Sequence, residues 1–184
     1  MKHELGMTKE QKIVPLVVDT YLAVIRNSVE SHIFRNVYAT VGEKKTDIAQ
    51  DGSFSCAFYV SSILMMFQLI QAVHVTFDST VQDLQSFGWK RIKKSKIGSI
   101  IVWENIDFGK TGVHKHIGFY VGDGKAISNS DKQRCPVEHD WIFNGERQVE
   151  CILWNPAKLR RGASPALESG IMKACEKTQN SKGN

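Results

Sequence analysis

Ser53-Phe54-Ser55-Cys56-Ala57-Phe58-Tyr59-Val60-Ser61-Ser62 places a cysteine between small polar residues and an apolar run that continues to Val73. The run fits a buried helix that begins at the thiol, expected over 56–73. A helix start offers free backbone N–H groups and the positive end of the dipole, both of which favour thiolate. Further along, Val102-Trp103-Glu104 reads as one strand. His114-Lys115-His116-Ile117-Gly118-Phe119-Tyr120-Val121-Gly122-Asp123-Gly124 reads as a second, running into a tight glycine turn. A thiol at a helix N-terminus with an imidazole on a neighbouring strand is the pairing that a cysteine nucleophile requires. The plainer reading of Cys56 is an inert buried thiol, since free cysteine packs as a small hydrophobe. Its place just after Asp51-Gly52-Ser53, at a polar-to-apolar boundary, favours the nucleophile.

Around this centre the chain reads as one α+β domain over 13–157, between a frayed N-terminus (1–12) and a polar, disordered tail (158–184). Apolar positions at Val14, Val17, Val18, Tyr21, Leu22, Ile25, Val29, Ile33 and Val37 recur at helical spacing. They predict one long helix over 13–41, or two broken near Asn27-Ser28. Residues 42–52 read as loop, and Ser79-Thr80 as the cap of a short helix that Gly88 stops. Strands are expected over 98–104, 116–121, 125–129 and 148–154, with a short extra piece at 140–143.

Charge and composition narrow the function classes. The formal net charge is +5, and much of it lies in Lys90-Arg91-Ile92-Lys93-Lys94-Ser95-Lys96 and Lys158-Leu159-Arg160-Arg161. No aromatic residues interleave with these runs as base-stacking platforms would, so they read as solvated charge and no nucleic-acid partner is expected. The four cysteines, Cys56, Cys135, Cys151 and Cys175, form no CxxC pair and read as reduced thiols. Neither a metal nor any other cofactor is expected: the Asp and Glu residues show no helical pairing at metal-ligand spacing, and the cysteines offer no zinc pair. Pro15 and Asp19 interrupt the only candidate signal segment, and no run reaches membrane-spanning length. The expected location is cytoplasmic, with export by a non-classical route left open.

For the general base, His116 is preferred because it lies deeper in its strand than His114, which shares its face. His3, His32 and His74 sit at a terminus or on helices. His139 is within range of the site and equally at home as a satisfied loop residue. A third group must orient the imidazole by taking its second N–H. Ser128 and Asn129, beyond the Gly-Asp-Gly turn, are both candidates, and the residues alone leave that choice open.

These segments resemble the NlpC/P60 superfamily of papain-like cysteine hydrolases. Ser55-Cys56-Ala57-Phe58-Tyr59-Val60 is similar to the family's Asp-Cys-Ser-Gly nucleophile motif. Lys96-Ile97-Gly98-Ser99-Ile100-Ile101-Val102-Trp103 resembles its glycine-led strand, and His116 to Ser128 its histidine strand and turn. The resemblance covers about residues 36–154. It implies a papain-like fold in which the nucleophile helix packs on a small antiparallel sheet, with additional N-terminal helices. It implies Cys56 as nucleophile, His116 as base, Ser128 or Asn129 as third group, and substrate contacts at Tyr38, Ser55 and Trp103. The implied activity is amide or peptide hydrolysis, with a cell-wall stem peptide as substrate. The alternatives are a cytosolic amidase or acyltransferase of the same fold, or a catalytically silent module that binds peptide or acidic polymer. Two departures bear on substrate: Ser-Cys-Ala-Phe replaces the usual nucleophile motif, and serine stands where the family often has a second histidine.

Overall fold

Alternating side chains along Ile100-Ile101-Val102-Trp103 and Ile117-Gly118-Phe119-Tyr120 divide between two faces of one sheet, because successive strand residues point to opposite sides. Ile100, Val102, Ile117, Phe119, Val121, Ile127 and Leu153 build the larger core against the helices. Ile101, Trp103 and Ala126 build a smaller one on the far face, with Tyr120, Trp141 and Phe143 packed on it. The structure is a computed structural model that describes residues 14–107 and 113–159. Its strands are β1 (Tyr38–Val41), β2 (Lys44–Asp47), β3 (Lys90–Ile92), β4 (Ile100–Asp107), β5 (Val113–Gly122), β6 (Lys125–Ser130), β7 (Cys135–Asp140) and β8 (Val149–Trp154). The main sheet has six strands in the order β3-β8-β4-β5-β6-β7, every pair antiparallel. β1 and β2 form a separate hairpin.

Among the described residues three α-helices complete an α+β architecture: α1 (Val17–Asn27), α2 (Cys56–Met66) and α3 (Phe77–Ser86). α1 lays Tyr21, Leu22 and Ile25 on the core and ends earlier than its periodicity predicts. Ser28 Oγ bonds the Ile25 carbonyl at 2.7 Å and Tyr59 Oη at 2.8 Å, and Glu30 then adopts φ 63°. That left-handed residue turns the chain out of helix, so 28–41 is not helical and its end forms β1 instead. α2 is apolar on nearly all sides, as a core helix should be, yet it stops at Met66, short of the expected 73. Gln68 takes φ 53°, its N–H reaches the Met65 carbonyl at 3.1 Å, and the Leu69 N–H reaches Leu64 at 2.9 Å. Together these form a Schellman cap. Gly88 closes α3 in the same way, with Trp89 N–H on the Leu84 carbonyl at 3.0 Å. The N-terminal cap of α3 is Thr76, whose hydroxyl accepts from Ser79 N–H, and not Ser79-Thr80.

Three further corrections concern strands. Residues 44–47, read as loop, pair with β1. Lys90–Ile92, read as solvated charge, is an edge strand on β8, where basic side chains discourage pairing with other chains. Residues 135–140 are the opposite edge strand β7, so the short piece expected at 140–143 lies earlier in the chain. Leu159 is buried in the main core, which carries the fold two residues past the expected end at 157. The expectations for 1–12 and for 160–184 lie outside the described residues.

Candidate active site

The site forms where the sheet opens. β5 stays paired to β4 through Trp103↔His116 and beyond, and β6 stays paired to β7 as far as Ser130↔Cys135. Between β5 and β6, however, pairing toward the site ends at Gly118↔Ser128. The two strands part there, and the N-terminus of α2 enters the opening. The Ile117 N–H points at the Cys56 sulfur. Asn129 Nδ2 donates to the Gly52 carbonyl, 2.7 Å away, in the loop that leads to Cys56. α2 covers the sheet face of Ile117 and Phe119, whereas His116 belongs to the other face. The parting of the strands lets thiol and imidazole line one cavity of about 740 Å³. Among the described residues no hydrogen bond joins them directly.

A hydrogen-bond chain sets the tautomer of His116. His139 Nδ1 lies 2.7 Å from the Asp140 carbonyl, which can only accept, so that nitrogen carries a proton. Burial pushes the His139 pKa down and keeps the ring neutral, so its Nε2 accepts. Ser128 Oγ, 2.7 Å away, therefore donates to it. That leaves Ser128 Oγ to accept from His116 Nε2 at 2.8 Å. His116 consequently keeps its basic lone pair on Nδ1, the nitrogen left to take a proton. Aromatic walls hold the two imidazoles: His139 stacks on Phe143 with centroids 4.0 Å apart, and Trp103 lies 5.3 Å from the His116 ring. For the amide hydrolysis proposed below, Ser128→Ala should therefore lower turnover about tenfold with little change in KM, because the bond that holds the tautomer is lost. Steady-state kinetics on a cleaved amide checks this, and equal losses in kcat and 1/KM would contradict it.

Electrostatics set the resting state. Burial pushes the Cys56 thiol above the ordinary range, although the N–H groups of Ala57, Ile117 and Cys56 and the charge of Arg147 all favour thiolate. Burial, with Arg147 and His139 adding to it, pushes His116 down to about 3. At neutral pH the pair is thus thiol and neutral imidazole, although the helix start by itself favours thiolate. The same shift predicts acid sensitivity. Above its ordinary 6.5 the imidazole is neutral both folded and unfolded; below it, the unfolded chain takes up a proton that the folded one refuses until about 3. Stability then falls with falling pH at up to ~1.4 kcal/mol per unit, about 2 kcal/mol between about pH 6.5 and about pH 4.5. Urea melts across that window should show this loss, and His116→Gln should flatten it. An equal slope in both proteins would contradict it.

The structure sorts the expected residues. Cys56, His116 and Ser128 share the cavity, and Ser128 is the group that bonds His116. Asn129 lines the cavity but holds Gly52 and makes no bond to His116, so it positions the loop that leads to Cys56. Ser55 is fully buried, with its hydroxyl on the Gly52 carbonyl at 3.0 Å, and is structural. Trp103 is fully buried behind His116, with Nε1 on the Trp141 carbonyl at 2.7 Å. Tyr38 is 60% exposed in the β1–β2 hairpin, with the Lys45 ammonium over its ring, and does not line the cavity. His114 also lines the cavity, beside Phe54. The sequence leaves His139 undecided between the site and a satisfied loop residue, because Pro136 masks the periodicity of its strand; β7 places its ring 2.7 Å from Ser128 Oγ. One residue was missed. Arg147 follows the turn at Gly145, where nothing in the sequence marks it as buried.

Among the described residues no cluster of His, Cys, Asp or Glu is placed to hold a metal ion, and Cys56, Cys135 and Cys151 are free thiols. No described helix is long and apolar enough to cross a membrane. No protein-family model matches the chain, and no curated protein is significantly similar to it.

Proposed function

We propose that this chain is a thiol hydrolase of papain-like, NlpC/P60-type architecture that cleaves an amide or peptide bond, with a cell-wall stem peptide as substrate class. The observation that carries the reading is the Asp140–His139–Ser128–His116 chain. It leaves a basic nitrogen on His116 in the cavity lined by Cys56. As the thiol attacks the carbonyl carbon, His116 Nδ1 takes its proton, directly or through one water. The sulfur–carbon bond forms, and the carbonyl oxygen gains negative charge beside the N–H groups at the start of α2. His116 then returns the proton to the leaving amine, and a thioester remains on Cys56. Water, deprotonated by His116, hydrolyses that thioester and frees the thiol.

The test is incubation with defined stem peptides and mass analysis of the products. Fragments whose summed mass exceeds the substrate by one water, absent with Cys56→Ala, are expected. If no peptide is cut, and iodoacetamide labels Cys56 no faster than Cys135 and Cys151, the groove belongs to a silent binding module.

A further inference from the structure

Arg147 is 7% exposed and lines the cavity together with Cys56 and His116. Its Nε donates to the Glu104 carbonyl at 2.9 Å and its Nη2 to the His114 carbonyl at 2.8 Å. Both acceptors lie at the irregular stretch of the β4–β5 ladder, between Trp103 and Ile106. These carbonyls fix the guanidinium in place but do not neutralise it. Ion pairs among the described residues join Arg35 and Arg134 to Asp51, His74 to Asp83, and Lys115 to Glu150; none includes Arg147. Asp131, on the same cavity, attracts it from beyond ion-pair distance. A guanidinium has five N–H donors in a planar fork suited to carboxylates. Burying one without a counter-ion is costly unless a partner arrives.

We infer that Arg147 is an anion subsite that takes a carboxylate of the substrate next to the scissile carbonyl, so that acidic acyl donors are preferred. The inference rests on the hydrolase reading for its substrate, but its test does not need a substrate. Iodoacetate and iodoacetamide alkylate the same sulfur and differ in the charge beside the reacting carbon. The ratio of their rates at one pH cancels the thiolate fraction. It therefore separates capture of an anion from mere stabilisation of thiolate by Arg147, which would speed both reagents alike.

In the wild-type protein the iodoacetate-to-iodoacetamide ratio at Cys56 should exceed that at Cys135 and Cys151 about tenfold. Arg147→Met should abolish that excess, and Arg147→Lys should keep part of it. Glutarate should protect Cys56 from both reagents and raise the wild-type melting temperature. A ratio at Cys56 equal to that of the other cysteines, with no glutarate protection, overturns the subsite. If Arg147→Met fails to fold once the two carbonyls lose their donor, the wild-type ratio and the glutarate result decide. The two readings fail separately. A Cys56 unreactive toward both reagents, with glutarate still raising the melting temperature, removes the hydrolase and keeps the anion site; a fast Cys56 with an ordinary ratio and no glutarate protection does the reverse.

Discussion

His116→Gln should lower the turnover of Cys56-dependent amide cleavage by about 10³-fold, with KM little changed. Glutamine can still donate to Ser128 Oγ, which His116 Nε2 meets at 2.8 Å, so the cavity wall is kept. What it cannot do is accept a proton. Because the resting thiol is held above its ordinary range, the wild-type protein has little thiolate of its own at neutral pH, and the base matters most there. Iodoacetamide labelling of Cys56 near neutral pH should accordingly fall to the level of Cys135 and Cys151. At a pH above the raised thiol pKa the two proteins should react alike, since thiolate then forms without help. That convergence tells loss of a base from damage to the fold. The acid limb gives a second readout: with His116 down at about 3, the wild-type rate should persist well below the pH at which an ordinary imidazole protonates. A His116→Gln protein that turns over normally, or a wild-type acid limb near 6.5, would remove His116 as the base.

The parts of this site that were legible in the sequence are those set by local pattern. The period-two alternation through Ile117-Gly118-Phe119-Tyr120 and the Gly122-Asp123-Gly124 turn fix β5, β6 and the diagonal that brings Ser128 to His116. Ser128 and Asn129 point to opposite faces, so choosing between them needed the register, in which Ser128 stands opposite Gly118. The end of α2 was illegible because Leu69 and Ile70 are buried like helix residues although they follow the cap. β7 was illegible because Pro136 occupies it, which only an edge strand tolerates. Arg147 gave no signal, since burial of a charge after a turn depends on carbonyls contributed by β4 and β5, distant in sequence. Local rules thus locate the thiol and the imidazole that line the cavity, while long-range packing brings His139 onto Ser128 and buries the Arg147 cation.

Gly118→Ala should cost about 3 kcal/mol in urea unfolding, a large loss for one methyl group on a strand. A Cβ at this position would stand 2.7 Å from the Ile127 carbonyl oxygen, 2.7 Å from Ser128 Cβ and 3.1 Å from Trp103 Cη2. Trp103 is fully buried and its indole is tied to the Trp141 carbonyl, so it has little room to withdraw. The Ile127 carbonyl belongs to the backbone of β6 and moves only if β5 and β6 separate. Separation carries Ser128 away from His116, so the stability loss should come with a loss of turnover like that of Ser128→Ala. Trimming the indole as well, in Gly118→Ala/Trp103→Phe, should recover at most a minor part, because the two 2.7 Å contacts remain. Full recovery in the double variant would place the constraint in the aromatic wall alone. An undiminished Gly118→Ala protein would mean that β5 and β6 do not approach this closely where they begin to part, and the opening that admits Cys56 would lose its structural basis.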